Sequence, residues 1–245
     1  MAAPVPQFQT FISVKKFREL VQATYEKEIA EGENFDARDV KRFNENDEYT
    51  LRFIQHGQHG TTFDQERALR LFKASMEWRK RHNVYDISTS EFPDEFIKRQ
   101  ALFFKNQDRY NNPLLHIAVR KLDKSKDDKE AVKRFLTYTF EEHLRQHPEQ
   151  KIVLVFDMSE TGLSHMDYEL VKFIIASAQH FYPRLLAYML IFKMPWLLTA
   201  AWKLIKTWLP PEADQFIRFV DEKSIQDYIA PDQLSEAMGG TARYD

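Results

Sequence analysis

Any bond-making chemistry in this chain would have to come from a short set of side chains. Ser164 lies in Gly162-Leu163-Ser164, just after an apolar run, where a strand-to-helix turn could present a nucleophile. The second glycine of a GxSxG elbow is missing, and Ser164 reads instead as a helix N-cap. Asp157 closes the run KIVLVFD, at the strand end where α/β proteins place functional groups. The chain continues as DMSET, with no second aspartate two residues on, so a turn-forming carboxylate fits better than phosphoryl transfer. His143 and His147 stand four apart on a helical pattern and could share a metal, but no glutamate lies between them as in HExxH. His143 falls on the apolar stripe, so the pair reads as one packing histidine and one helix-end histidine. His56 and His59 in HGQHG belong to a turn, and two imidazoles alone make no site. Arg79-Lys80-Arg81 could hold phosphate, but cations also suit the C-terminal end of a helix dipole, and a solvated helix end is the reading adopted. No catalytic constellation survives, so the chain is expected not to be an enzyme and to use no cofactor or metal.

The bulk numbers narrow the classes further. Six glycines never fall into GxGxxG or GxxxxGK[ST], which removes the common nucleotide cradles. With no cysteine there are no disulfides, thiolate metal sites or cysteine nucleophiles. Lys plus Arg number 35 against 37 Asp plus Glu, so no global positive field recommends a nucleic-acid partner. The 245 residues, 43% hydrophobic and 29% charged, can bury a sizeable core without staples. Twenty phenylalanines need a large core and leave some aromatic surface to line a cavity. MAAPVPQFQTF lacks the charged and apolar regions of a secretory signal, and no run reaches about 18 apolar residues, so a cytoplasmic protein is expected.

The positioning elements follow from periodicity. Helical patterns run from Ser13 to about Ala30, from Asp39 to Ile54, and from an N-cap at Thr62 or Asp64 through RKRHN. Together they form an expected all-helical N-terminal lobe, residues 1–85. Beyond it, Leu102-Phe103-Phe104 and Leu114–Val119 flank a turn-rich stretch and read as a hairpin. Lys121–Glu130 is a solvated charged loop, and Ala131–Gln146 is a helix stopped by Pro148. The consecutive apolar residues of Ile152–Phe156 imply a strand buried on both faces, as in a parallel sheet. A helix over Asp167–Tyr182 and a strand over Tyr188–Phe192 complete a βαβ unit. Phe216–Val220 is a last strand, and two short helices, Ser224–Ala230 and Asp232–Met238, lead to Gly239-Gly240. Residues 86–245 are therefore expected to form an α/β lobe with a mostly parallel sheet of about five strands.

One stretch does not fit an ordinary surface helix. Met194–Leu209, MPWLLTAAWKLIKTWL, is apolar nearly all round at 100° per residue, with Pro195 at the first helical position and only Thr199, Lys203 and Lys206 as a polar strip. It is too short and too charged to span a bilayer. It reads as a helix that closes an apolar cavity and can open against a membrane; a core helix with two snorkelling lysines is the alternative.

In order along the chain, Leu51-Arg52-Phe53-Ile54, Phe63, Ala68, Trp78-Arg79, the turn DRYNNPLL from Asp108, Tyr182-Pro183, YMLIF, Met194-Pro195-Trp196, IKTWL to Leu209 and Gly239-Gly240 resemble the CRAL-TRIO, or Sec14-like, lipid-binding domain over about residues 40–240. Within it, FDMSETG and KMPWLLTAAWKLIKTWL most resemble the N-terminal domain of motile sperm domain-containing proteins, which continue into a second domain and a membrane anchor. The sequence ends at Asp245 before either, as an excised domain or a free-standing relative would. The resemblance implies a cavity between sheet and helices under a mobile gate helix, here 195–209. Lys203 matches the family's gate-helix lysine, whereas Phe173 stands where its acidic partner is expected and Thr199 lies one position early, so the resemblance does not carry the phosphoinositide site over whole.

The expected function is non-enzymatic binding and exchange of a phospholipid or other hydrophobic small molecule, by a monomer that is peripheral at membranes. Lining the cavity are expected Phe156, Phe173, Ile174, Ala178, Leu190, Phe192, Trp196, Leu197, Ala200, Ala201 and Leu204. Thr199, Lys203 and Lys206 are expected to meet a head group, and Trp202, Ile205, Trp208 and Leu209 the membrane as the gate opens. The rival readings are a protein-interaction scaffold with a vestigial cavity and a lipid hydrolase using Ser164 or Asp157.

Overall fold

The N-terminal helices begin and end where side chains can satisfy free backbone groups. In the computed structural model, which describes residues 12–59, 62–122 and 126–244, Ser13 Oγ accepts from the Lys16 amide at 3.2 Å and opens α1 (Val14–Thr24). The segment MAAPVPQFQTF and part of the charged loop lie outside the described residues. After α2 (Glu26–Glu31), Gly32 takes a left-handed φ of 66° and turns the chain. The expected single helix over Asp39–Ile54 is two, α3 (Ala37–Glu45) and α4 (Asp47–His56). Asn46 divides them, because its extended backbone and side-chain oxygen cap α4 at the Tyr49 amide, 2.9 Å away. A two-residue ribbon, β1 (Gln58–His59) with β2 (Thr62–Phe63), leads to Asp64, which caps α5 (Gln65–Arg81). Phe17, Phe43, Phe53 and Phe72 form a fully buried aromatic cluster inside this bundle.

The second part is built on a five-stranded sheet in the order β3-β4-β5-β6-β7. Its strands are β3 (Leu102–Gln107), β4 (Pro113–Ala118), β5 (Ile152–Asp157), β6 (Leu186–Phe192) and β7 (Ile217–Val220). The β3–β4 hairpin is antiparallel and every later pairing is parallel, so the sheet is mostly parallel as expected. Short α6 (Asp94–Lys98) precedes the hairpin; α7 (Lys129–Gln146) and α8 (Tyr168–Ala176) cover one face. The other face carries Leu114, Val153, Val155, Leu190 and Phe192 under the C-terminal turns, which are 3₁₀ pieces rather than two α-helices. The helix expected to run to Tyr182 stops at Ala176 and continues as a π-turn, Ser177–Phe181.

Arg79 corrects the reading of a solvated helix end: its side chain is fully buried. Its guanidinium grips Glu141 on α7 through two bonds of 2.6 and 2.9 Å and stands 2.7 Å from Asp39 on α3. Arg42 reaches the same glutamate at 3.1 Å, so two cations and two carboxylates balance where α3, α5 and α7 meet. Trp78 stacks on Phe181 of the π-turn with centroids 4.2 Å apart, and Ser75 donates to the Phe181 carbonyl. Burial works to raise the Glu141 carboxyl, but the charge of Arg79 and its hydrogen bonds outweigh it and hold the pKa at about 2. A folded-state pKa below the ordinary 4.5 gives stability that is complete above about pH 4.5 and fades as pH falls toward 2. Glu141→Gln should therefore flatten the acid limb of the stability–pH curve. At pH 7 it should cost about 3–5 kcal/mol in urea unfolding, because Arg79 loses its main counter-charge.

Candidate functional site

The parallel strands end where the chain must cross to the next layer, and the cavity opens at that end. From the sheet, Ile117, Phe156, Met189, Ile191 and Ile217 face it; Leu170, Val171, Ile174 and Ile175 of α8 form a second wall. The lid comes from the segment after β6. Lys193 turns at a left-handed φ of 49° and Pro195 is extended, not helical, so the lid starts as a 3₁₀ turn, Trp196–Leu198. It then becomes α9 (Thr199–Lys206), shorter than the helix expected over 194–209. Leu198, Trp202, Ile205 and Leu209, spaced 4, 3 and 4 residues apart, make the stripe that faces the cavity.

The cavity volume is about 130 Å³, and among the described lining residues the ionisable side chains are Asp127, Lys129, His165 and Asp167. Four of the seven methionines, Met158, Met166, Met189 and Met194, touch it. Unbranched thioethers adapt to guests of varied outline, and their convergence is the sequence signal that the expected lining omitted.

Several expected residues sit elsewhere. Phe156, Ile174, Trp202, Ile205 and Leu209 line the cavity, and Ala201 is a buried residue of the lid helix that does not line it. Leu190 and Phe192 point through the opposite face of the sheet, because strand parity sends Met189 and Ile191 to the cavity. Phe173 packs toward Trp78 of α5, 6.3 Å between centroids, and Ala178 borders a separate small void beside Phe140. Trp196, Leu197, Ala200 and Leu204 face outward; Trp196 is 85% exposed, Leu204 47% and Leu197 39%. Trp208 leaves the expected membrane face and packs edge-on against Tyr168 while Lys172 approaches its ring at 5.2 Å. None of the head-group candidates lines the cavity: Thr199 donates to the Trp196 carbonyl at 2.5 Å, Lys206 pairs with Asp214 at 2.9 Å, and Lys203 is exposed on the outer side.

The residues weighed for catalysis are accounted for locally. Asp157 accepts from the Ser159 amide at 3.0 Å, the turn geometry expected of it. Ser164 is not the N-cap of the following helix; Asp167 is, bonding the Glu169 and Leu170 amides. Ser164 Oγ comes within 3.3 Å of His165 Nδ1, but the Gly162 amide donates to that same nitrogen at 3.1 Å. That leaves the ring a poor base for the serine. His143 lies against Phe104, and its Nε2 meets the Gln150 carbonyl at 3.3 Å. Among the described residues no group of three metal-ligating side chains forms, and no helix is long and apolar enough to cross a membrane.

Comparison with known proteins agrees with this architecture. A family model for the CRAL/TRIO domain matches residues 97–240. A CRAL-TRIO domain-containing protein of Schizosaccharomyces pombe is 29% identical over 201 residues, which are 78% of this chain and 44% of that protein. Phosphatidylinositol transfer protein CSR1 of Eremothecium gossypii is 31% identical over 101 residues, 41% of this chain and 23% of that protein. The match thus spans less than half the length of either curated relative. The crystal structure of Sfh5 shares the fold, with a TM-score of 0.71 over 95% of this chain and 87% of that chain at 14% identity. A match across more than half the chain, on the same mostly parallel sheet, shows that the protein belongs to the CRAL/TRIO domain family.

Proposed function

We propose that this chain binds a membrane lipid or another hydrophobic small molecule in the cavity under α9, and exchanges it with membranes without chemical change. The observation that carries the reading is a lid that is apolar on both sides: Leu198, Trp202, Ile205 and Leu209 inward, Trp196, Leu197 and Leu204 outward. The name of one relative, a phosphatidylinositol transfer protein, supports a lipid as guest.

The energetics say what such a protein has to do. A two-chain lipid of about 30 methylenes holds roughly 24 kcal/mol of hydrophobic free energy against bare water. Passage from bilayer to an apolar cavity is nearly neutral, so the work is to shield the chains while they cross. The cavity of about 130 Å³ is close to the ~150 Å³ that holds one benzene, far less than a lipid. Loading therefore requires the lid to move outward, and the exposed Trp196, Leu197 and Leu204 supply the surface that a bilayer would reward for doing so.

Docking and loading are separable. Leu197→Asp with Leu204→Asp should lower partitioning onto phosphatidylcholine vesicles by about a hundredfold, from roughly 1.5 kcal/mol or more per leucine, with the fold unchanged by circular dichroism. Ile174→Trp should instead leave vesicle partitioning intact and reduce lipid uptake severalfold by filling the cavity, read by mass spectrometry of extracted lipid. No lipid extracted from the unsubstituted protein, and none taken up from vesicles, would favour the scaffold reading. Lipid recovered hydrolysed would favour the hydrolase.

A further inference from the structure

The small void beside the π-turn is bordered by a serine with nothing to bond. Ser177 opens the turn and is 2% exposed, and its Oγ has no hydrogen-bond partner among the described residues. In a continuing α-helix a serine hydroxyl can return to a carbonyl one turn back. Here the Phe173 and Ile174 carbonyls accept from the Ser177 amide, and the hydroxyl joins neither. The Ser177 carbonyl accepts from the Tyr182 amide at 2.7 Å, which closes the wider π-turn, a device often found at functional sites. Most of the wall is apolar: Phe140, Leu154, Ala178, Leu185 and Leu186. Tyr182 borders the void as well, with the Glu141 carboxylate beside its hydroxyl. No carboxylate, ammonium or guanidinium lines it among the described residues.

This void continues the cavity under α9. Ile174 borders both. On β5, Leu154 faces the void and Phe156, two residues on and about 7 Å away, faces the cavity. Along α8, Ser177 stands about one turn beyond Ile174. The void's volume of about 10 Å³ suits a single water-sized atom. A buried water needs two or more polar partners, whereas the oxygen at the end of a hydrocarbon is satisfied by one hydroxyl.

We propose that Ser177 is the inner end of the ligand site. The guest is an uncharged lipid with one hydroxyl or carbonyl oxygen, which enters oxygen first, bonds Ser177 Oγ past Ile174, and leaves its hydrocarbon under α9. A serine hydroxyl both donates and accepts, so an alcohol and a ketone each match it. A phosphate or an ammonium does not, because the wall offers no counter-charge to offset its desolvation. The proposal rests on the lipid-binding reading and names the class of guest.

The full chain is incubated with phosphatidylcholine vesicles carrying equal amounts of hexadecanol and hexadecane, re-isolated, and its bound lipid read by mass spectrometry. The unsubstituted protein should carry both probes. Ser177→Ala should lower the ratio of bound hexadecanol to hexadecane about fivefold, the effect of one hydrogen bond. Without lipid the variant should melt no lower, since it removes an unsatisfied buried hydroxyl. Methyl pentadecyl ketone adds a direct readout of the bond. Its carbonyl infrared band should lie lower in the unsubstituted protein than in Ser177→Ala. A ratio that Ser177→Ala leaves unchanged, as a trapped water on Ser177 would give, overturns the Ser177 site while the lipid reading stands. So does equal carbonyl band position in the two proteins, or phosphatidylcholine as the sole bound lipid. Uptake of no lipid of any kind overturns both.

Discussion

A lid over hydrocarbon cannot follow the usual division of a surface helix into an apolar and a polar face. One face of α9 covers a cavity walled by Phe156, Ile174, Met189 and Ile191, so water must be kept from it. The other face carries Trp196, Leu197 and Leu204, which gain nothing from water. On the proposed function, one apolar face would hold the lid down and the other would draw it away at an apolar phase. Thr199, Lys203 and Lys206 form the seam between the two faces, which keeps the helix soluble when no membrane is present.

A lid that opens, as proposed, needs a frame that stays in place. The helical bundle is joined to the sheet lobe by Arg79 on Glu141, by Trp78 stacked on Phe181 and by Arg52 on three carbonyl-bearing residues. These contacts are buried, where a broken ion pair or an unmet donor is most expensive. The lid's own polar tie, Lys206 with Asp214, is more than half exposed on both sides and worth little. Its apolar anchors run along its length: Leu198 is 1% exposed in the first turn, Trp202 meets Phe219 edge-on at 4.9 Å, and Trp208 meets Tyr168. The N-terminal turn is three residues of 3₁₀ structure between an extended proline and α9. Buried polar ties are concentrated in the frame and not in the lid.

What could be read from sequence follows the range of the interactions involved. The strand Ile152–Asp157 and its parallel neighbours were legible, because an uninterrupted apolar run is itself the signature of a strand buried on both faces. The same property hid the parity: with both faces apolar, nothing in YMLIF distinguishes the side of Met189 and Ile191 from that of Leu190 and Phe192. The lid repeats the difficulty at helical period. An element apolar all round has no preferred phase, so its stripe at Leu198, Trp202 and Ile205 is visible only once the sheet stands beneath it. Arg79 was misread for a different reason. Its partner Glu141 lies 62 positions away, and local composition shows a basic helix end either way. Asn46 acted through a short-range competition, its side chain offering the backbone a cap in place of a continued helix.

The polarity of a parallel sheet assigns different work to its two ends. At the C-terminal ends of β5 and β6 the chain leaves toward α8 and the lid, and the side chains that meet there are apolar and adaptable. At the N-terminal ends it arrives from α7 and the π-turn through backbone held by a buried guanidinium. Ile174 of α8 lines the cavity, and α8 continues into the π-turn, whose Phe181 ring and carbonyl are held by Trp78 and Ser75. On the proposed function, a large guest would meet resistance along that path. The lid would then be the direction in which the cavity grows.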